Sequence, residues 1–193
     1  KLLASLFKGT PYAHTPLGTR PSFDKTSAAM LKKFHDTWYA PDNAVMIICG
    51  DVQPQDTLER VRGLFEDIPS RKIPPVADVR LQPVKPEAFD LKTDLPYGLI
   101  MMAFRLPGSN SSSSAAVQIL SDVLDSQRGT LYDLVTEGQA LSAGFSTSIF
   151  PQTGVGYAVI AFPKGADTTA LVEKVRKILA ANAQNGFSPD LVE

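Results

Sequence analysis

Five prolines fall within residues 69–86: Pro69, Pro74, Pro75, Pro83 and Pro86. Proline fixes φ and lacks an amide hydrogen, so this stretch excludes helix and reads as an extended crossing segment. It leaves two element-forming stretches, residues 1–68 and 87–193. The first reads as the end of one subdomain and the second as the remaining portion of the same domain. The whole, 193 residues with 44% apolar and 20% charged side chains, is ordinary for a globular domain.

The apolar run Ala44-Val45-Met46-Ile47-Ile48-Cys49, as long as any in the sequence, is strand-sized. A bilayer crossing takes about 18–20 apolar residues, so no membrane span is expected. Being apolar at every position, the run predicts a strand buried on both faces rather than an alternating one. The formal net charge of −1 gives no field for steering nucleic acid, and no nucleic-acid partner is expected. Cys49 is the single cysteine and lies inside the apolar run, which predicts a buried, inert thiol. One cysteine suits the cytosol and equally a periplasmic protein without disulfides.

Hydrophobic periodicity places the other elements. Residues 1–7 read as the last turns of a helix closed by Gly9 and Pro11. Residues 8–24 hold three prolines and two glycines and read as a loop. Thr26 or Ser27 can cap a helix to about Trp38 with Met30, Leu31, Phe34 and Trp38 facing inward. Residues 53–67 form a second helix with Leu58, Val61, Leu64 and Phe65 buried. Beyond the crossing segment, strands are expected at residues 88–93 and 98–106. A serine-rich loop at 111–114 feeds a helix carrying Ala116, Ile119, Leu120, Val123 and Leu124. A short helix at 130–136 is followed by strands at 141–149 and 156–162, with Pro151 to Gly154 as the hairpin connection. Residues 168–185 then form a long helix ended by Gly186. Ser188 and Pro189 open another helix, so the chain reads as an excised segment of a longer protein. Paired strands between helices indicate an α+β fold: two layers, a mixed or antiparallel sheet with helices packed on one face.

Few residues offer chemistry. The only histidines are His14, in a loop, and His35, on a helix. Neither sits in His-x-x-Glu-His or His-Glu-x-x-His, and a catalytic zinc needs three protein ligands around an open position. No Gly-x-Ser-x-Gly elbow occurs, and Gly154-Val155-Gly156 lacks the remainder of a phosphate loop. The basic side chains Lys32, Lys33, Arg71 and Lys72 are matched by acids and read as solvated surface. No catalytic and no metal-ligating residue is assigned within the chain, and no substrate-binding residue can be named.

The order of several short motifs carries more. Gly9-Thr10-Pro11-Tyr12-Ala13-His14-Thr15-Pro16-Leu17-Gly18-Thr19 resembles the "PYgHp..Gt" segment of the M16 (pitrilysin/insulinase-like, processing-peptidase-like) zinc metallopeptidases. Phe34-His35-Asp36-Thr37-Trp38-Tyr39-Ala40-Pro41-Asp42-Asn43-Ala44-Val45-Met46 is similar to that family's "F...yY.P.Nav" segment. Gly50-Asp51-Val52 follows as its "GDv", and Gly129-Thr130-Leu131-Tyr132-Asp133-Leu134-Val135 resembles "sRLy..Lv".

The resemblance implies an M16 metallopeptidase-like (LuxS/MPP-like) domain within a zinc endopeptidase or processing peptidase. In such enzymes the zinc ligands and general base lie in and beyond a His-x-x-Glu-His motif upstream of "PYgH", so none is carried onto this chain. No cofactor is expected here, and zinc is expected in the parent. The family's substrate-binding Arg and Tyr would fall near Val135 and near Ser142 or Ala143, and neither residue type stands there. That departure points either to the zinc-bearing half of a parent protein or to a degenerate half. The implied role is a non-catalytic structural portion lining the chamber for a peptide substrate. The alternative is a scaffold or inactive partner subunit of the same fold. The expected partner is the remaining half of the parent or a homologous subunit, and the isolated piece is expected to expose an apolar surface that favours self-association. Resemblance to exported bacterial relatives inclines the compartment toward the periplasm.

Overall fold

The computed structural model describes residues 1–75 and 78–192. Along them run α1 (Leu2–Leu6), a 3₁₀ turn (Pro11–Ala13), α2 (Arg20–Asp24), α3 (Ala28–Trp38), a second 3₁₀ turn (Pro41–Asn43) and α4 (Pro54–Phe65). Then come β1 (Tyr97–Pro107), α5 (Ser114–Asp125), α6 (Asp133–Thr136), β2 (Ser142–Ile149), β3 (Thr153–Pro163), α7 (Thr168–Asn185) and α8 (Pro189–Val192). The chain divides into two units, Lys1–Ala13 with Leu81–Glu193, and His14–Arg80.

The larger unit is built around β3. The sheet order is β1-β3-β2, and both pairings are antiparallel. Side chains alternate across a strand, so the two parities of β3 serve two faces. Ala158, Ile160 and Phe162 join Ile100 and Phe145 against Leu124, Leu131, Leu134, Leu171 and Val175 from the helical side. Val155, of the other parity, packs with Leu6 and Phe7 at the end of α1, beside Tyr12, Phe150 and Tyr157. The α+β architecture follows, with α5, α6 and α7 on one face and α1 contributing a smaller cluster elsewhere on the sheet.

Local chemistry explains the boundaries. Asp167 accepts a hydrogen bond from the Ala170 amide at 3.0 Å and starts α7. Gly186, at φ +72°, ends it with its amide on the Asn182 carbonyl at 3.0 Å. α7 presents Leu171 and Val175 to the core, with Val172, Ile178 and Leu179 partly covered. Ser27 caps α3 through the Met30 amide at 3.2 Å. Ser111 Oγ accepts from the Ser113 amide at 3.2 Å, so the serine run turns into α5.

Several expectations are corrected. Residues 44–49 form no strand and are exposed, and Cys49 is an exposed thiol rather than a buried one. A strand requires a ladder partner, and the smaller unit supplies none among its described residues. Residues 88–93, in the larger unit, are likewise exposed and lie outside its three-stranded sheet. Met30, Leu31, Phe34, Leu58, Leu64 and Phe65, expected to be buried, are exposed, and Ile119 on α5 is also exposed. The stretch 8–24 is not all loop, since it holds α2, where Thr19 and Ser22 form a capping box. The hairpin connection, expected at Pro151 to Gly154, falls at residues 150–152, so that β3 begins earlier than expected and takes in Gly154, Val155 and Gly156. The turn is closed by the Phe150 amide on the Thr153 carbonyl at 2.8 Å. Two residues of the proline-rich segment, Val76 and Ala77, and the terminal Glu193 lie outside the described residues.

Candidate functional site

The search for a site begins with the two histidines. His14 is exposed in the loop after the first 3₁₀ turn. His35 lies near the end of α3, exposed, with its Nδ1 3.4 Å from Asp36 Oδ1 and its ring stacked on Tyr39 at 4.9 Å. Lys32, one turn earlier, donates from Nζ to Asp36 Oδ2 at 2.9 Å, and Arg71 donates to the Asp36 carbonyl at 3.0 Å. Hydrogen bonds from Lys32 and then His35 hold the Asp36 carboxyl below its ordinary value. This is a solvated helix-surface pairing of an ion pair and a ring stack.

Among the described residues no three His, Cys, Asp or Glu side chains cluster to hold a metal ion. Zinc catalysis requires three protein ligands and a water position, so the described residues do not fit that group. A hollow of about 180 Å³ lies beside the end of α5 and the start of α8, lined by Val123, Leu124, Thr130, Asn182, Phe187 and Leu191 among others. Asn182 donates to Thr130 Oγ1 at 3.1 Å there, but the lining carries no titratable side chain. Val135, Ser142 and Ala143, the positions matched to the family's Arg and Tyr, are apolar or small here. Leu134, next to Val135, is fully buried.

The polar groups that do engage buried structure serve the fold. Arg105 on β1 donates from Nε to the Leu6 carbonyl at 2.7 Å and also from Nη2, with its guanidinium 5.6 Å from the Phe7 ring. It thereby satisfies a free carbonyl at the end of α1 and stacks on an aromatic face. Asp125, the last residue of α5, accepts from the Phe145 amide at 2.8 Å and ties α5 to β2. Burial raises the Tyr157 phenol, opposed by a hydrogen bond with Ser148. Sequence reading passed over Arg105 and Asp125, because contacts between residues 99 and 20 positions apart leave no local pattern.

The fold is α+β, and no metal-ligand cluster occurs among the described residues. It superposes with a TM-score of 0.84 on the crystal structure of a protease from Helicobacter pylori, at 19% identity, covering 98% of this chain and 48% of that one. It superposes at 0.81 on a peptidase M16 inactive domain from Pseudomonas fluorescens, at 22% identity, covering 98% and 47%. In sequence it is 24% identical over 183 residues to the zinc protease PqqE of Helicobacter pylori, covering 89% of this chain and 39% of that protein. Residues 25–193 match the family described as peptidase M16 inactive domain. The chain belongs to that family, and it spans well under half the length of the curated zinc protease it matches.

Proposed function

We propose that this chain is the non-catalytic structural portion of a longer M16 zinc metalloendopeptidase, lining part of the chamber in which a peptide is held and cleaved. The match of residues 25–193 to the M16 inactive domain carries this reading. The likeness to a zinc protease more than twice as long supports it. In this reading residues 1–68 end a first subdomain, residues 69–86 cross over, and residues 87–193 complete the same domain. No catalytic or metal-ligating residue of the enzyme lies in the chain. Zinc is held by the remainder of the parent or by a homologous partner subunit. The likeness to the periplasmic protease PqqL of Escherichia coli, TM-score 0.65, supports an exported bacterial parent.

The test has two parts. The complete reading frame is expected to encode His-x-x-Glu-His ahead of Lys1, and its product to hydrolyse peptides in a chelator-sensitive way. The 193-residue chain alone is expected to bind no stoichiometric zinc and to cleave nothing. One tight zinc per isolated chain would overturn the assignment. A reading frame without the zinc motif would turn it into the alternative, an inactive scaffold subunit.

A further inference from the structure

β3 is paired on both sides, so the outer side of β2 is an edge of the described sheet. A sheet edge is a template for any extended chain that brings backbone donors and acceptors. The register shows which groups this edge offers. One step beyond the pair Ile149 and Gly154, the Phe150 amide bonds to the Thr153 carbonyl directly opposite. Residues of an antiparallel strand alternate between pairs that exchange ladder bonds and pairs that do not. Ser148, Ser146, Gly144 and Ser142 therefore bond to β3, while Ala143, Phe145, Thr147 and Ile149 turn their amides and carbonyls outward. Past Ile149 the edge ends, because the Ser109 and Asn110 amides already occupy the Phe150 and Pro151 carbonyls, each at 2.9 Å.

Asp125 interrupts this row. From the last position of α5 its Oδ1 accepts the outward Phe145 amide at 2.8 Å, and the residue is exposed, so its charge stands in solvent along the edge. A carboxylate accepts and does not donate, so an arriving carbonyl would meet a filled donor and a negative charge. Gly144 is what admits the carboxylate, since a Cβ there would lie 2.7 Å from Oδ1. Ala143 is left on one side, and Thr147 with Ile149 on the other. A pairing that short is marginal in water.

We infer that Asp125 is a plug that closes the outer edge of β2 to strand addition by an extended peptide. The inference goes beyond the enzymatic reading and does not depend on it. A side-chain charge set into an edge is a device by which sheets refuse further strands. In a peptide chamber it would keep a bound peptide off β2, so that any strand-like hold on that peptide lies elsewhere.

The measurement is hydrogen exchange by nuclear magnetic resonance at the Ala143, Thr147 and Ile149 amides of the 193-residue chain. The probe is a short soluble peptide of alternating valine and threonine with lysine at its ends, absent or at millimolar concentration. In the wild type the probe is expected to leave the three rates unchanged. In Asp125→Ala it is expected to slow them about tenfold or more. Gly144→Ala, which displaces the carboxylate without deleting it, is expected to do the same and carries the test should Asp125→Ala not fold. Thr147→Pro added to either variant removes an outward donor from an edge strand, and is expected to abolish the response. A role for Asp125 in stability alone would weaken the sheet without making these amides respond to the peptide. Slowing in the wild type equal to that in the variants overturns the inference. So does no response in variants whose β3 amides stay protected as in the wild type. Protection of the three wild-type amides that grows as the chain alone is concentrated overturns it too, since a second copy would then be reaching the edge. The readout needs neither zinc nor peptidase activity, so it stands apart from the enzymatic assignment.

Discussion

Single residues in the larger unit are set by close approach. A Cβ added to Gly108 would lie 2.3 Å from the Thr153 amide nitrogen and 2.6 Å from the Phe150 carbonyl oxygen, both backbone atoms that cannot move aside cheaply. Gly156 instead makes room for side chains, since a Cβ there would meet the Phe145 ring at 2.6 Å and Leu106 at 2.9 Å. These contacts are why glycines stand inside or beside strands, where composition alone suggests a turn. Asp125 is the residue whose loss is most readily interpreted. Its carboxylate is the acceptor for the partly buried Phe145 amide, and Gly144 leaves it space to reach. Asp125→Ala is expected to destabilise the larger unit by about 1–3 kcal/mol, because a partly buried donor loses its acceptor. Asp125→Asn, which keeps a carbonyl oxygen, should recover much of that difference. Urea unfolding followed by circular dichroism decides it, and equal stability of wild type and the alanine variant would show that water replaces the carboxylate.

Elements differ sharply in how they are supported. β3 is paired on both sides and covered on both faces, and α7 buries Leu171 and Val175 against it. α3 is capped by Ser27 and α4 opens on Pro54 without a side-chain cap, and both carry apolar stripes but no buried residue. Helices of 11 and 12 residues are marginal in water when nothing packs on them. Hydrogen exchange on the isolated chain should therefore show the amides of β3 protected up to the global limit. Those of α3 and α4 should exchange faster by about two orders of magnitude or more. Uniform protection across the three elements would contradict this account. The exposed pairs on α3 do not alter the expectation, since Lys32 with Asp36 is a surface ion pair that contributes roughly 0–1 kcal/mol.

At the scale of the whole molecule, the unequal units bear on cooperativity. Trp38, the only tryptophan, ends α3 and reports the smaller unit. Far-ultraviolet circular dichroism reports both units. Unfolding in guanidinium should give a tryptophan transition at lower denaturant than the main loss of helix and sheet signal. Superimposable curves would instead indicate one cooperative body. The same inequality gives the proposed role its physical form. A unit with almost no buried residue is stable in function only as part of something larger, which agrees with a chain that spans 39% of its zinc-protease relative.

What the residues settled unaided was the kind of the longer helices and of the three paired strands and, through motif order, the family; residues 44–49 and 88–93 were misread as strands and α2 as loop. Periodicity and capping are local properties, so α3, α4, α5 and α7, and the three strands around residues 97–107, 142–149 and 153–163, were legible before any coordinates. Burial was not, because it depends on which surfaces meet. Residues 44–49 have the composition of a doubly covered strand, yet strandhood needs a partner's backbone, and the described residues provide none. The long-range ties of Arg105 to Leu6 and Asp125 to Phe145, and the packing that places glycines within β3, came only from tertiary structure, since nothing in a linear string records which distant atoms come within hydrogen-bond range.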